Sequence, residues 1–350
     1  MSIQMYAGKS VIDSSLLNPN EGNSVTKKID GKYVLRPSSL NIHCPYSYAQ
    51  SALLGKKSKP SGASAVGTAY HYALELAYEH KIQTGENPNP NDIVEIGVAN
   101  WAKVQEVEDL HYSVNDSPAK STDDIANGLK TYMPTISKVN PIATEIRWSV
   151  ALPKPSSIYS QISGSVDLIA LSTQVMPNIG GDLAKKGIEI IDHKFTSAKS
   201  TSPKYKLQAG MYEIMGNANL PFMQGYEGLE VSGTVLHNMV RSKVLKTKTN
   251  PTQLHLVRPA RGEAITNTIA SRVTELIDRA EMFHFMKTEL RVDPEDAVKV
   301  LYPTTTPEVS FLCQELWCGW YHQCPINNPQ EIPKLDLISM FKQFKEKTNG

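Results

Sequence analysis

Asp192 and Lys194 stand one residue apart at the end of Gly187–Phe195, a run whose Ile188, Ile190 and Ile191 read as a buried β-strand leaving a glycine turn. Strand side chains alternate faces, so this carboxylate and this ammonium project from one face, about 7 Å apart along the backbone. Two charges on the end of a buried strand are costly unless they serve each other or a metal. A second carboxylate, Asp167, interrupts the apolar run Val166–Leu171, and His71 sits one turn before Glu75 on a stretch of helical periodicity. Two carboxylates and an imidazole make a mixed oxygen and nitrogen donor set suited to Mg²⁺ or Mn²⁺. A lysine beside such an ion can orient or deprotonate an attacking water and stabilise charge developing at phosphorus. Gln208 and Tyr212, an i, i+4 pair, add an amide and a phenol that can hold substrate or the lysine. Together these are the groups that metal-assisted phosphodiester hydrolysis requires.

The elements that must position them can be read from the same sequence. Arg36-Pro-Ser-Ser starts a helix that carries Cys44; a second helix covers about 65–81 with His71, and 92–137 is helical again after Asn87-Pro-Asn-Pro-Asn91. From Ala143 the period changes. Glu145–Leu152, Tyr159–Leu171 and the Asp192 strand follow, then a helix from Pro203 to Asn217 bearing Gln208 and Tyr212. Further strands are expected at 231–240 and 253–257, a long helix from 264 to about 290, and a terminal helix from Lys334. Residues 1–36 carry no clear periodicity and read as an irregular arm.

The composition, with 40% hydrophobic and 20% charged residues among 350, is that of an ordinary globular chain. No run of eighteen apolar residues argues for a membrane span, and Met1–Ser10 lacks the apolar core of a signal peptide, which points to the cytoplasm. A net charge of +1 neither predicts nor excludes a nucleic-acid partner. Locally, Arg241, Lys243, Lys246, Lys248, Arg258 and Arg261 lie in a segment without acidic residues; it is either a solvated face or, with Lys199, Lys204 and Lys206, a path for DNA. Of four cysteines, Cys44 stands alone and Cys313, Cys318 and Cys324 cluster, a pattern that in a reducing compartment suggests metal binding more than disulfides.

Gly67-x₃-His71, Gly164-x₂-Asp167, Asp192-x-Lys194 and Gln208-x₃-Tyr212, in that order on helix, strand, strand and helix, resemble the RecB-like branch of the PD-(D/E)XK nucleases. The resemblance implies an α/β fold with a restriction-endonuclease-like mixed sheet flanked by helices, an N-terminal helical region and a C-terminal cysteine region. It makes 37–325 a single nuclease domain: a helical part 37–140, a catalytic core 141–262, and a long helix with the cysteine cluster at 263–325, followed by a tail at 326–350. It implies Asp167, Asp192, Lys194, Gln208 and Tyr212 as catalytic residues, with His71, Asp167, Asp192 and the backbone carbonyl of His193 as ligands of Mg²⁺ or Mn²⁺. His193 occupies a position where an apolar residue is frequent, and alternation turns its ring away from Asp192 and Lys194.

A subgroup of this branch, including AddB-type nucleases and a CRISPR-associated exonuclease, carries one cysteine before the core and three after it around a [4Fe–4S] cluster. Cys44 and the three C-terminal cysteines match that arrangement, although Cys313-x₄-Cys318 is longer than the commonest gap. Zinc on Cys313, Cys318, His322 and Cys324 is the alternative, as is no metal at all. The implied activity is a metal-dependent DNA exonuclease on single-stranded DNA or duplex ends, serving recombination, repair, replication or defence; the alternative is a catalytically weak DNA-binding subunit of a larger complex. The chain has no G-x₄-G-K-[ST] motif, so a helicase or recombinase partner would be a separate protein.

Overall fold

The computed structural model describes residues 28–29, 31–41, 44–57, 60–107, 109–112, 116–172, 187–199, 202–223, 225–226, 228–244, 249–302, 304, 320, 324–325 and 336–349. In chain order these form strands β1 (Lys28–Ile29) and β2 (Lys32–Leu35), a 3₁₀ turn at Pro37–Asn41, and helices α1 (Pro45–Ala52), α2 (Gly62–Thr84), α3 (Pro90–Val107) and α4 (Pro118–Ile136). Strands β3 (Asn140–Val150), β4 (Tyr159–Leu171) and β5 (Ile188–Thr196) follow, then α5 (Ser202–Asn219) and β6 (Val231–Val240). Two short strands, β7 (Lys243–Val244) and β8 (Thr249–Asn250), precede β9 (Gln253–Val257) and helices α6 (Glu263–Thr288), α7 (Pro294–Leu301) and α8 (Leu337–Asn349). Among the described residues no helix is long and apolar enough to cross a membrane.

Local chemistry sets the helix ends. The Ser61 hydroxyl accepts the Ser64 N–H and opens α2, and Gly85 at φ 76° closes it in the left-handed conformation that glycine tolerates best. Ser117 caps α4 in the same way, with Pro118 in the first turn. The stretch expected to be helical over 92–137, with Thr122-Asp-Asp-Ile as a start signal, is two helices; the second starts at the Ser117 cap and Pro118, so Thr122 lies inside it and not at its start.

Among the described residues seven of the strands form one mixed sheet, in the order β1-β2-β4-β5-β6-β9 with β3 also pairing β4, and β7 and β8 pair with each other in a second, two-stranded sheet. Residues 32–35, expected in an irregular arm, run parallel to β4 with Leu35 opposite Ile162; a four-residue strand is too short to show a period. The helices cover the sheet in two groups, each with its own core. Tyr70, Tyr78, Trp101, Leu129 and Tyr132 of α2, α3 and α4 pack over one region, while Met211, Met215, Ile269, Leu276 and Ile277 of α5 and α6 pack over another. Among the described residues this is an α/β architecture with a mixed sheet flanked by eight helices.

Candidate active site

β4 is the strand on which the site is built, and its two edges differ. One edge pairs with β3 from Val150↔Ile162 to Asn140↔Leu171. The other is shared: β2 ends at Leu35↔Ile162, and β5 pairs only from Leu168↔Ile191 to Leu171↔Ile188. Residues 163–167 on that edge lie in the fork between β2 and β5. The apolar alternation also slips here. Val166 and Ile169 both lie in the core under α5 and α6, whereas Leu168 and Ala170 face α2, α3 and α4. The register puts Glu145 of β3 opposite Asp167, and Glu145 has φ 45°, a left-handed conformation rare for a strand residue. The slip is what puts a carboxylate inside an apolar run.

Past Ile191, β5 leaves β4 but stays paired with β6 through Thr196. At the parting, Asp167 Oδ2 accepts the backbone N–H of His193 at 2.7 Å, so a side chain takes over a strand hydrogen bond and holds the fork open. The register places Asp192 next to Asp167 on the adjoining strand. The Lys194 Nζ lies 2.8 Å from Asp192 Oδ1 and 2.7 Å from Oδ2. Burial pushes both carboxyls up, with Lys194 opposing it in each. Burial alone would lower the lysine, but Asp192 and Asp167 outweigh it and hold its pKa above the usual value. Among the described residues, the Lys194 ammonium is the cation paired with Asp192 and acting on both carboxylates.

Helices close the fork from both sides. From α2, His71 Nδ1 comes within 3.5 Å of Asp167 Oδ2; burial and then the Lys194 charge push its pKa down to about 4, against a hydrogen bond to the backbone of His193. The ring is therefore neutral near pH 7, with a lone pair to give. From α5, the Gln208 amide donates to Tyr212 Oη at 3.0 Å, and the Tyr205 ring centre lies 5.3 Å from Lys194 Nζ. Burial, then the charge of Asp192, raises the Tyr212 phenol and keeps it protonated. Tyr205 was not singled out by sequence, although it shares a helix face with Gln208 and Tyr212.

The donor set fits a hard divalent cation. Asp192 Oδ2 is buried, with the Lys194 ammonium 2.7 Å away but no hydrogen bond of good geometry, so it could turn to a cation as a ligand. Among the described residues no three His, Cys, Asp or Glu side chains are gathered as a ready-made metal cage; Lys194 holds Asp192 where a cation would compete for it.

The ring of His193 points away from Lys194, into the core of α2 and α4. There its Nε2 lies 2.9 Å from Tyr132 Oη, which also meets His237 Nδ1 at 2.6 Å and Tyr78 Oη at 2.9 Å. This network, anchored on α4 and β6, is invisible in sequence because its members span four separate elements. Of the basic residues, Lys199 is exposed and Lys206 half-buried. Arg241 is buried, with its guanidinium 3.4 Å from Asp116 and 3.5 Å from Asp124; as it stands it is an interior ion-pair member and not part of an open basic face. The side chains of Lys204, Lys243, Lys246 and Lys248 lie outside the described residues, as do Cys313, Cys318 and His322. Cys44, half-buried, immediately precedes α1, and Cys324 is buried.

No curated protein matches the chain in a sequence comparison. Residues 39–325 match the PD-(D/E)XK nuclease superfamily, a span that takes in every residue of the fork and its flanking helices. Its members hydrolyse phosphodiester bonds, typically with Mg²⁺ or Mn²⁺. With the match covering most of its length, the chain belongs to the PD-(D/E)XK nuclease superfamily.

Proposed function

We propose that the protein is a metal-dependent deoxyribonuclease of the RecB-like kind, an exonuclease acting on single-stranded DNA or duplex ends. The observation that carries this reading is the fork: Asp167 and Asp192 side by side on neighbouring strands, with the Lys194 ammonium on Asp192. Asp167, Asp192, His71 and the backbone carbonyl of His193 would hold Mg²⁺ or Mn²⁺, which supplies a Lewis acid and lowers the pKa of its bound water. Lys194, kept positive by its two carboxylates, stabilises negative charge developing on the phosphoryl oxygens. Tyr205, Gln208 and Tyr212 keep that ammonium and the α5 face in place. His71 stays neutral, so it offers a ligand and no competing charge.

Cys44, Cys313, Cys318 and Cys324 are read as ligands of a [4Fe–4S] cluster, with zinc as the alternative occupant. In support, Tyr46 is pushed up to about 12, first by burial, then by Cys324 and Glu295 and more weakly by Cys44, so residues from the two ends of the domain bear on one phenol. DNA is the substrate, and a helicase or recombinase acting with the enzyme would be a separate chain.

The test is cleavage of one DNA sequence in linear and covalently closed circular form, with Mg²⁺, with Mn²⁺ and with chelator. Metal-dependent loss of the linear form, with the circle spared, is expected. Cutting of the circle at a comparable rate would make the enzyme an endonuclease, and no cleavage with either metal would leave only the DNA-binding subunit.

A further inference from the structure

The open stretch of β4 that leads to Asp167 is straddled by two arginines from elements distant in sequence. β2 ends at Leu35↔Ile162, so Arg36 leaves that strand level with Ser163. Pro37 then closes on Gly164: a Cβ at Gly164 would lie 2.8 Å from Pro37 Cδ and 3.8 Å from the Tyr212 ring. On the opposite edge Arg147 of β3 faces Ser165, and its Nε donates to Ser163 Oγ at 3.2 Å. Arg147 and Ser165 are exposed and Arg36 is half-buried. Asp167 is the diagonal neighbour of Arg147 across the β3–β4 ladder, a relation that separates the backbones by about 7–8 Å.

Arg36 has its pKa lowered by burial and then by the positive charge of Arg147, while Tyr212 acts in the opposite direction. Two guanidiniums brought together repel one another, and an anion seated between them turns the repulsion into attraction. A lysine or a glutamine could meet the Ser163 hydroxyl as well as Arg147 does, so that hydrogen bond alone does not call for an arginine. A planar fork of donors matched to phosphate oxygens does.

We propose that Arg36 and Arg147 form a phosphate-binding shelf on β4, which grips the nucleic-acid backbone at a phosphate flanking the one hydrolysed beside Asp167 and Asp192. This rests on the nuclease reading of the fork. The ligand is a phosphodiester, recognised by charge and oxygen geometry and not by base, so the shelf positions the strand without choosing its sequence. The backbone then crosses β4 from the β2–β3 side and meets the reacting residues at the fork, with Tyr212 between the shelf and Lys194. Gly164 belongs to this device, since any side chain there would displace Pro37 and carry Arg36 with it.

The experiment compares the full-length protein with its Arg147→Gln, Arg36→Lys and Arg36→Gln/Arg147→Gln variants on a short single-stranded oligonucleotide. Each phosphate linkage is replaced in turn by an uncharged methylphosphonate. KM for the double variant is expected to rise roughly tenfold or more, since charge-assisted contacts are lost, with kcat at saturation changed less than about threefold. The slope of log affinity against log salt should fall by about 0.7 for each charge removed. One methylphosphonate next to the cleaved linkage should weaken the unaltered protein and leave the double variant no worse. Arg147→Gln removes an exposed side chain and Arg36→Lys keeps the charge, so these two separate a lost contact from a lost fold. If the unaltered protein cleaves but KM, salt slope and methylphosphonate profile are all the same in the double variant, the shelf is overturned and the nuclease reading stands. If the unaltered protein cleaves nothing with either metal, both fall.

Discussion

Lys194 has its charge held in place by its surroundings. Its Nζ is 2.7 Å from one oxygen of Asp192 and 2.8 Å from the other, Tyr205 lies 5.3 Å away, and the two carboxylates hold the ammonium protonated. On the proposed function, a lysine held protonated in this way would work as a cation and not as a base, and its interaction would grow as the phosphoryl oxygens gain charge. Removing it removes an interaction made mostly in the transition state. Lys194→Ala should lower kcat by a hundredfold or more, the size seen when one oxyanion donor is lost, while DNA affinity stays within about threefold. Single-turnover rates beside direct binding measurements check this; a variant that keeps a tenth of the rate would take the lysine out of the chemistry.

At the scale of elements, α4 joins β5 to β6 through a single hydroxyl. Tyr132 meets His193 and His237 at once, and burial with the charge of Arg258 pushes His237 down to about 3. An unfolded histidine takes its proton near pH 6.5, so between about 6.5 and 3 the unfolded chain binds a proton that the folded chain refuses. Stability is therefore lost on acidification through that window, and nothing is gained from this ring above it. Replacing His237 with glutamine should flatten the fall in unfolding free energy by about 1.4 kcal/mol per pH unit between pH 6 and 4. The raised carboxyls of Asp167 and Asp192 act in the opposite sense but are common to both proteins and drop out of the difference. Denaturant unfolding at several pH values reads it directly, and equal slopes would mean that the ring protonates without unfolding. The network also marks the limit of what sequence could tell. Asp192 and Lys194 were legible because charge breaks the apolar period of one strand, and Gln208 and Tyr212 because their i, i+4 spacing puts them on one helix face. Tyr132 and His237 look like ordinary strand and helix residues until the sheet brings them together. Arg36 was hidden for a related reason: the strand before it is too short to carry a pattern, and its pairing partner is more than a hundred residues away.

At the scale of the molecule, the ends of the domain converge. Cys44 opens α1, Cys324 is buried, and both bear on Tyr46. A cluster there would cross-link segments separated by almost the whole domain, and restraining so long a loop in the unfolded state is worth several kcal/mol, about 5–6 in the chain-entropy picture. Protein purified without oxygen should be brown and contain iron, and Cys44→Ser should lose the colour and melt earlier while the folded fraction keeps its intrinsic rate. Stoichiometric zinc without iron, or a colour untouched by the substitution, would remove the iron–sulfur assignment.

The parallel pairing of β2 with β4 bears on the order in which the molecule assembles. β3, β4, β5 and β6 follow one another along the chain and pair as neighbours, β5 and β6 in parallel across α5, so their ladders close shorter loops than the β2–β4 pairing does and can form earlier. β2 must wait for a partner far downstream, Tyr33 for Tyr159, and pairings of high sequence separation form late. The fork that holds Asp167 and Asp192 is thus a product of the early core, whereas Arg36 reaches its place only when the N-terminal strand docks. On a ribosome, residues 32–36 would be made before the core strands and would find their seats after them.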